Sequence, residues 1–146
     1  MMKATFACVI AASMIAVAGC GDGSEDRLSV AEFNEQATAI CKEAVQKKEA
    51  LFAKAAGEYE GAQSVSKQDE AKVATEAILT PLREQVAGLS ELELPEGDHP
   101  ELAAMMRAFQ KALKEGEANP IVLLDSQTIY PARVAAREAG IDACRD

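Results

Sequence analysis

From Val30 onward, apolar residues recur at alternating three- and four-residue steps in four separate stretches, the period of a helix that buries one face. The first stretch opens at Ser29-Val30-Ala31-Glu32, a capping box with Ser as the cap and Glu three residues on. It carries Val30, Phe33, Ala37, Ile40, Ala44 and Leu51 to about Ala56, before Gly57, and its step breaks only near Lys47 and Lys48. Cys41 sits beside Ile40 at the edge of this stripe. The second starts at about Ser66 and shows Ala74, Ile78, Leu82, Val86 and Leu89 on one face. Pro81 predicts a kink rather than a restart, because the apolar step crosses it without a change of phase. The stretch leaves through Leu92-Glu93-Leu94-Pro95, an extended exit.

The third stretch opens at Asp98-His99-Pro100-Glu101, read as an acidic cap with Glu three residues on. Leu102, Met105, Met106, Phe109 and Leu113 form its face, which ends near Gly116. Asn119-Pro120 opens the fourth, with Ile121, Leu124, Thr128, Ala132 and Ala136 on one stripe and a bend at Pro131. Ala139-Gly140 is its stop, with Gly left-handed and Ile141 packing back. The composition agrees with helices: 49% of residues are hydrophobic, only 4% are aromatic, and there is no Trp. Such a core is built from Ala, Leu, Val, Ile and Met, the palette of helix packing. Short loops between four helices predict an all-α fold, a four-helix up-down bundle.

Residues 1–20 carry an address. Lys3 is a short positive region, and an apolar run follows from Ala4 to Val17, too short for a comfortable membrane span of about 20 residues. The run ends in Val17-Ala18-Gly19-Cys20, which resembles a lipobox, the cleavage motif of bacterial lipoprotein signal peptides. Small residues let the chain lie extended in a peptidase cleft, and the Cys20 thiol accepts diacylglycerol. Each buried acyl methylene then stabilises anchoring by about 0.8 kcal/mol. An ordinary secretory signal ending near a cysteine is the competing reading. The chain thus divides into a signal peptide (1–19), a lipidated Cys with a flexible tether (20–28) and a helical domain (29–146). Gly19, Gly21 and Gly23 look like fragments of a phosphate loop, but no strand precedes them and no helix opens on them.

Charge narrows the partners. The formal net charge is −9, and removal of residues 1–19 takes away Lys3 and no acid, leaving about −10. An acidic domain repels phosphate backbones, so no nucleic-acid partner is expected.

Of the four cysteines, Cys8 leaves with the signal and Cys20 is consumed by lipid. Cys41 and Cys144 remain, an even pair in an oxidising compartment, and a disulfide is the economical reading. It would close a loop of about 100 residues and contribute up to about 4–5 kcal/mol. Two buried free thiols and a redox pair are the alternatives. The spacing is no CxxC motif, and nothing nearby in sequence lowers a thiol pKa. In an up-down bundle, the tail after Gly140 must fold back along the bundle to reach Cys41.

The run Phe33-Asn34-Glu35-Gln36-Ala37-Thr38-Ala39-Ile40-Cys41 resembles the opening of a broad group of uncharacterised helical envelope lipoproteins, common in high-GC Gram-positive bacteria. Leu89-Ser90-Glu91-Leu92-Glu93-Leu94-Pro95 and Ala139-Gly140-Ile141-Asp142-Ala143-Cys144 are similar to the later motifs of that group. The resemblance implies a disulfide-closed helical bundle and brings no activity.

Motifs for chemistry are sparse. His99 is the single histidine, in a Pro-flanked loop, and metal or catalytic use needs partners from elsewhere. Glu91, Glu93, Glu96 and Asp98 form an acidic loop whose spacing does not match an EF-hand. Met105 and Met106 at helical spacing beside Leu102 and Phe109 read as core. No catalytic residue, metal ligand or cofactor is assigned. The expectation is an extracytoplasmic lipoprotein held to the membrane through lipid on Cys20. It would act as a non-enzymatic interaction module with an envelope protein partner. The alternative is a bundle binding an apolar small molecule or lipid, and an envelope hydrolase comes third. A partner module predicts an exposed apolar or strongly acidic patch and a filled core, whereas a carrier predicts an enclosed apolar void of a few hundred Å³ or a ligand that co-purifies.

Overall fold

The computed structural model describes residues 27–145, so Val17, Ala18, Gly19 and Cys20 lie outside the described residues. Those described are helical throughout, with no strand among them. Helix α1 spans Val30–Glu58. Its capping box is formed: the Glu32 backbone N–H donates to Ser29 Oγ at 3.2 Å, and the Ser29 N–H donates to Glu32 Oε2 at 2.9 Å. The Ser29 hydroxyl, donating to Glu32 Oε2 at 2.7 Å, and after it the Ser29 N–H hold the Glu32 carboxyl below its ordinary range. Gly57 lies inside α1 rather than beyond it, since nothing at that turn requires the chain to leave the helix. Cys41 is fully buried beneath Phe33 and Ala37, at the centre of the packed face and not at its edge. Val30 points to solvent instead, 41% exposed.

The second helical run is continuous but composite: α2 (Lys67–Val73), a π segment (Ala74–Leu79) and α3 (Thr80–Glu91). Pro81 explains the middle piece. It has no N–H for the Ala77 carbonyl, and its ring crowds that carbonyl in a regular helix. The π turn takes in one extra residue, and the Thr80 N–H bonds back to the Thr75 carbonyl. The Thr80 hydroxyl donates to the same carbonyl at 3.0 Å. The helix therefore runs through Pro81, and the widened turn rotates the buried face. Ala77 and Leu79 enter the core, while Ile78 is only partly buried.

Helix α4 spans Pro100–Ala118, with Pro at its first position. His99, not Asp98, occupies the cap, and no side chain caps this end. The His99 ring instead turns back, Nε2 lying 3.0 Å from the Glu96 carbonyl. Residues Pro120–Leu124 form a 3₁₀ turn, and Asp125 then caps α5 (Ser126–Glu138), accepting from the Gln127 N–H at 2.9 Å. The fourth helix thus starts six residues later than Asn119-Pro120 suggested, because the Asp125 side chain makes a cap bond and that of Asn119 makes none. In the 3₁₀ turn Leu123 is buried, whereas Ile121 and Leu124 are exposed. Helix α5 runs through Pro131 without interruption.

The close of α5 is a complete Schellman motif. Gly140 takes φ +76°, its N–H donates to Arg137 O at 3.0 Å, and the Ile141 N–H donates to Ala136 O at 2.9 Å. Ile141 is fully buried, and a terminal 3₁₀ turn (Asp142–Arg145) follows.

The core consists of Phe33, Ala37, Cys41, Leu82, Val86, Leu89, Leu102, Met105, Phe109, Ile141 and their neighbours, with no buried polar or charged residue among the described residues. The elements pack in chain order: α1 on α3 and the π segment, α3 on α4, and α4 on α5. The terminal turn lies against both α5 and α1. One glycine sets a spacing. A Cβ at Gly116 would meet Leu123 Cδ1 at 2.5 Å, so the 3₁₀ turn seats Leu123 directly on the α4 backbone.

At the far end of α1, Tyr59 and the α2 cap form a polar clasp. The Tyr59 hydroxyl donates to Asp69 Oδ1 at 3.1 Å, and the Ser66 hydroxyl donates to Oδ2 at 2.7 Å. The Ser66 bond, then the Tyr59 bond, lowers the Asp69 carboxyl, while desolvation first and Asp69 second raise the Tyr59 phenol. Asp69 therefore favours the fold above the ordinary carboxylate pKa of about 3.9, and that contribution is lost as pH falls through its lower folded value. Tyr59 favours it below about 10, and that is lost as pH rises through its higher folded value.

Gly116→Ala should lower the urea midpoint despite its gain in helix propensity, since overpacking costs about 1–3 kcal/mol. Gly57→Ala, with open space around it, should raise stability by about 0.5–1 kcal/mol in the same titration. In a Tyr130→Phe background, near-ultraviolet absorbance should show Tyr59 deprotonating above the ordinary phenol range. Adding Asp69→Asn should move that titration down.

Candidate functional site

Cys41 on α1 and Cys144 on the terminal turn come together at disulfide distance, with Cα atoms 4.9 Å apart and 103 residues between them in sequence. The Schellman turn at Gly140 reverses the tail, and the 3₁₀ turn brings Cys144 in against α1. Gln85 on α3 adds its amide, Nε2 donating to Cys41 Sγ at 3.1 Å.

This junction shapes what lies beside it. Helices α1 and α5 both touch the terminal turn, yet have no extended contact of their own among the described residues. Between them runs a half-open groove of about 240 Å³. Its floor is buried and apolar: Pro81, Leu82, Phe109, Leu123 and Cys144. Phe52 of α1, Ile78 of the π segment and Ile129 of α5, all partly buried, form the walls. Leu124 stands at the rim, 41% exposed. Small side chains face the space at Ala44 and Ser126, which is why it stays unfilled.

Four polar side chains line the groove: Lys48, Gln85, Ser126 and Arg133. No carboxylate and no imidazole does. Two other clefts have comparable volumes, about 260 Å³ beside Arg27 and Pro95 and about 280 Å³ beside Ile40 and Gly88. Both carry acids in their walls, Glu32 and Glu96 in one and Glu43 and Glu84 in the other. The second has no buried residue beneath it and is crossed by the Lys47–Glu84 ion pair. Of these three clefts among the described residues, the groove between α1 and α5 combines a buried apolar floor with a few polar lining residues, the usual make-up of small-molecule sites.

The remaining sequence candidates lie elsewhere. His99 is 20% exposed beside Glu101, with Nδ1 3.5 Å from Oε1, and is not among the residues lining the groove. Glu91, Glu93, Glu96 and Asp98 are all exposed, and no group of three or more His, Cys, Asp or Glu is placed to hold a metal among the described residues. Met105 is buried and Met106 partly so, both as core. No described helix is long and apolar enough to cross a membrane. Sequence reading missed Lys48, Arg133 and Ile78 as groove residues. Lys48 was visible as a break in the α1 stripe, but the residues that line the groove with it come from six other elements. No protein-family model, curated protein or solved structure matches the chain.

The cysteine junction is testable directly. Replacing both Cys41 and Cys144 by Ala should cost about 4–5 kcal/mol, the loop-entropy value for a loop of about 100 residues. Reductant should lower the urea midpoint of the parent chain and leave the double variant unchanged.

Proposed function

We propose that this chain is a lipid-anchored extracytoplasmic protein whose helical domain binds a small apolar molecule without transforming it. The anchoring half rests on Val17-Ala18-Gly19-Cys20, with lipid on Cys20, and on the resemblance to helical envelope lipoproteins. In this reading the domain works at the outer surface of a monoderm cell or the periplasmic side of a diderm membrane. Its four helical runs alternate up and down, an arrangement supported by the packing of each run on the next.

The binding half rests on the α1–α5 groove, a half-open space of about 240 Å³ over a buried apolar floor. Binding is favoured over hydrolysis because Ser126 is the only hydroxyl lining it and no carboxylate or imidazole is there to activate a nucleophile. A protein partner is a second reading, favoured by the exposed Ile121, Leu124 and Tyr130.

Native mass spectrometry of protein taken from its own membranes tests both halves. Extra mass that vanishes on denaturation is the expected sign of a groove ligand, and Ala44→Phe should abolish it by filling the space. Denatured mass should retain diacyl lipid, and Cys20→Ala should move the protein out of the membrane fraction. A Cys20→Ala protein that stays membrane-bound would overturn the lipobox reading.

A further inference from the structure

The two sulfurs stand differently toward the groove. Cys144 lines it and is 4% exposed, whereas Cys41 is fully buried and absent from the lining. A small molecule that enters between α1 and α5 therefore meets Cys144 first. Gln85 adds a second asymmetry: it lines the same groove, and its Nε2 donates to Cys41 Sγ at 3.1 Å. Thiol–disulfide exchange depends on which sulfur is reached and on how readily the other leaves as a thiolate. Reach selects Cys144. The Gln85 amide favours Cys41 as the leaving sulfur, because a donor bonds a charged thiolate more strongly than a neutral sulfur.

The chain around Cys144 is built to yield. It belongs to the short terminal turn Asp142–Arg145, in which Cys144 alone is buried. Its N–H donates to the Ile141 carbonyl at 3.0 Å, a bond within the tail itself. A short segment with one buried anchor opens at far lower cost than the whole domain. The same turn is what α1 and α5 share, so its release alters the groove between them.

From these observations we propose that Cys41 and Cys144 form a redox-sensitive latch, opened by a small thiol that reaches Cys144 through the α1–α5 groove. The incoming thiolate bonds to Cys144 Sγ, the Cys144–Cys41 bond breaks, and its electron pair leaves on Cys41, which takes a proton from water. A second thiolate then attacks the external sulfur held on Cys144. That step forms the external disulfide and releases Cys144 as a thiolate, protonated in turn. The external thiols are oxidised and the protein pair is reduced to two thiols. The terminal turn is then untied from α1, and the groove loses Cys144 from its floor. A molecule lying over Cys144 shields the pair, so occupancy of the groove and reduction of the latch oppose each other. This rests on the reading of the two cysteines as a disulfide, and it holds whichever apolar molecule the groove takes.

The experiment exposes the mature protein to 2-mercaptoethanol, quenches it rapidly in acid, and maps adducts by N-ethylmaleimide alkylation and peptide mass. Alkylation of the denatured protein before any thiol is added comes first. Free thiols at both positions there would overturn the disulfide and the latch together. The early product should carry 2-mercaptoethanol on Cys144 and maleimide on Cys41, in about ten-fold excess over the reverse. Ala44→Phe, which fills the groove, should slow native reduction about ten-fold and leave reduction in concentrated urea unchanged. Gln85→Leu, similar in size but without a donor, should slow it too. The native rate should stay flat at low urea, since a route through global unfolding climbs with the first additions. After reduction the Cys144 amide should lose protection from hydrogen exchange while the α4 core amides keep theirs. Equal adducts on both sulfurs, an Ala44→Phe rate matching the parent, or a rate climbing with urea would each overturn the latch and leave the disulfide standing. An unchanged Gln85→Leu rate would strike the amide from the mechanism.

Discussion

The seating of the terminal turn against α1 is the contact on which the rest of this domain depends. With 4% aromatic residues and no Trp, the core has few large side chains to lock helices together. Ile141 and Cys144, both buried, supply a plug between the first and last helices, and Cys144 meets Cys41 there at disulfide distance. A bridge there removes the entropy of a loop of about 100 residues from the unfolded chain. The plug also acts as a spacer. Because α1 and α5 meet through it rather than side by side, a groove is left where small residues face each other.

Proline and glycine tune the remaining walls. Pro81 forces a π turn in the second run, which turns Ile78 toward the groove and Leu79 into the core. Gly116 lets Leu123 rest on the α4 backbone, drawing the 3₁₀ turn inward as part of the groove floor. A bulkier residue there would push that floor outward. The same turn leaves Ile121 and Leu124 at the surface, so an apolar rim continues beyond the groove.

The surface ion pairs have a different role. Arg83 pairs with Glu117 at 3.1 Å across α3 and α4, and Lys72 with Glu58 at 3.3 Å across the α1–α2 loop. Both are well exposed, and such pairs contribute about 0–1 kcal/mol. They orient neighbouring helices at the rim but do not decide stability.

Much of the helical plan was legible in the residues themselves. Local signals act within a turn or two, so the Ser29–Glu32 box, the Ser66 cap and the Gly140 stop each formed as their sequence indicated. The parity of Cys41 and Cys144 likewise pointed to their meeting. Other features depended on neighbours far along the chain. Asp98 lost the cap to His99, and Asp125 displaced Asn119-Pro120 as the start of the last helix, because two adjacent signals compete and packing chooses between them. Cys41 became a central rather than marginal residue once the tail folded over it. The sequence by itself determined the helical class, most helix ends and the pairing of the cysteines, since those follow from periodicity, caps and counting. Only tertiary structure decided where Lys48, Ile78, Leu123 and Arg133 converge, because a groove is made of space between elements, and no local pattern encodes that distance.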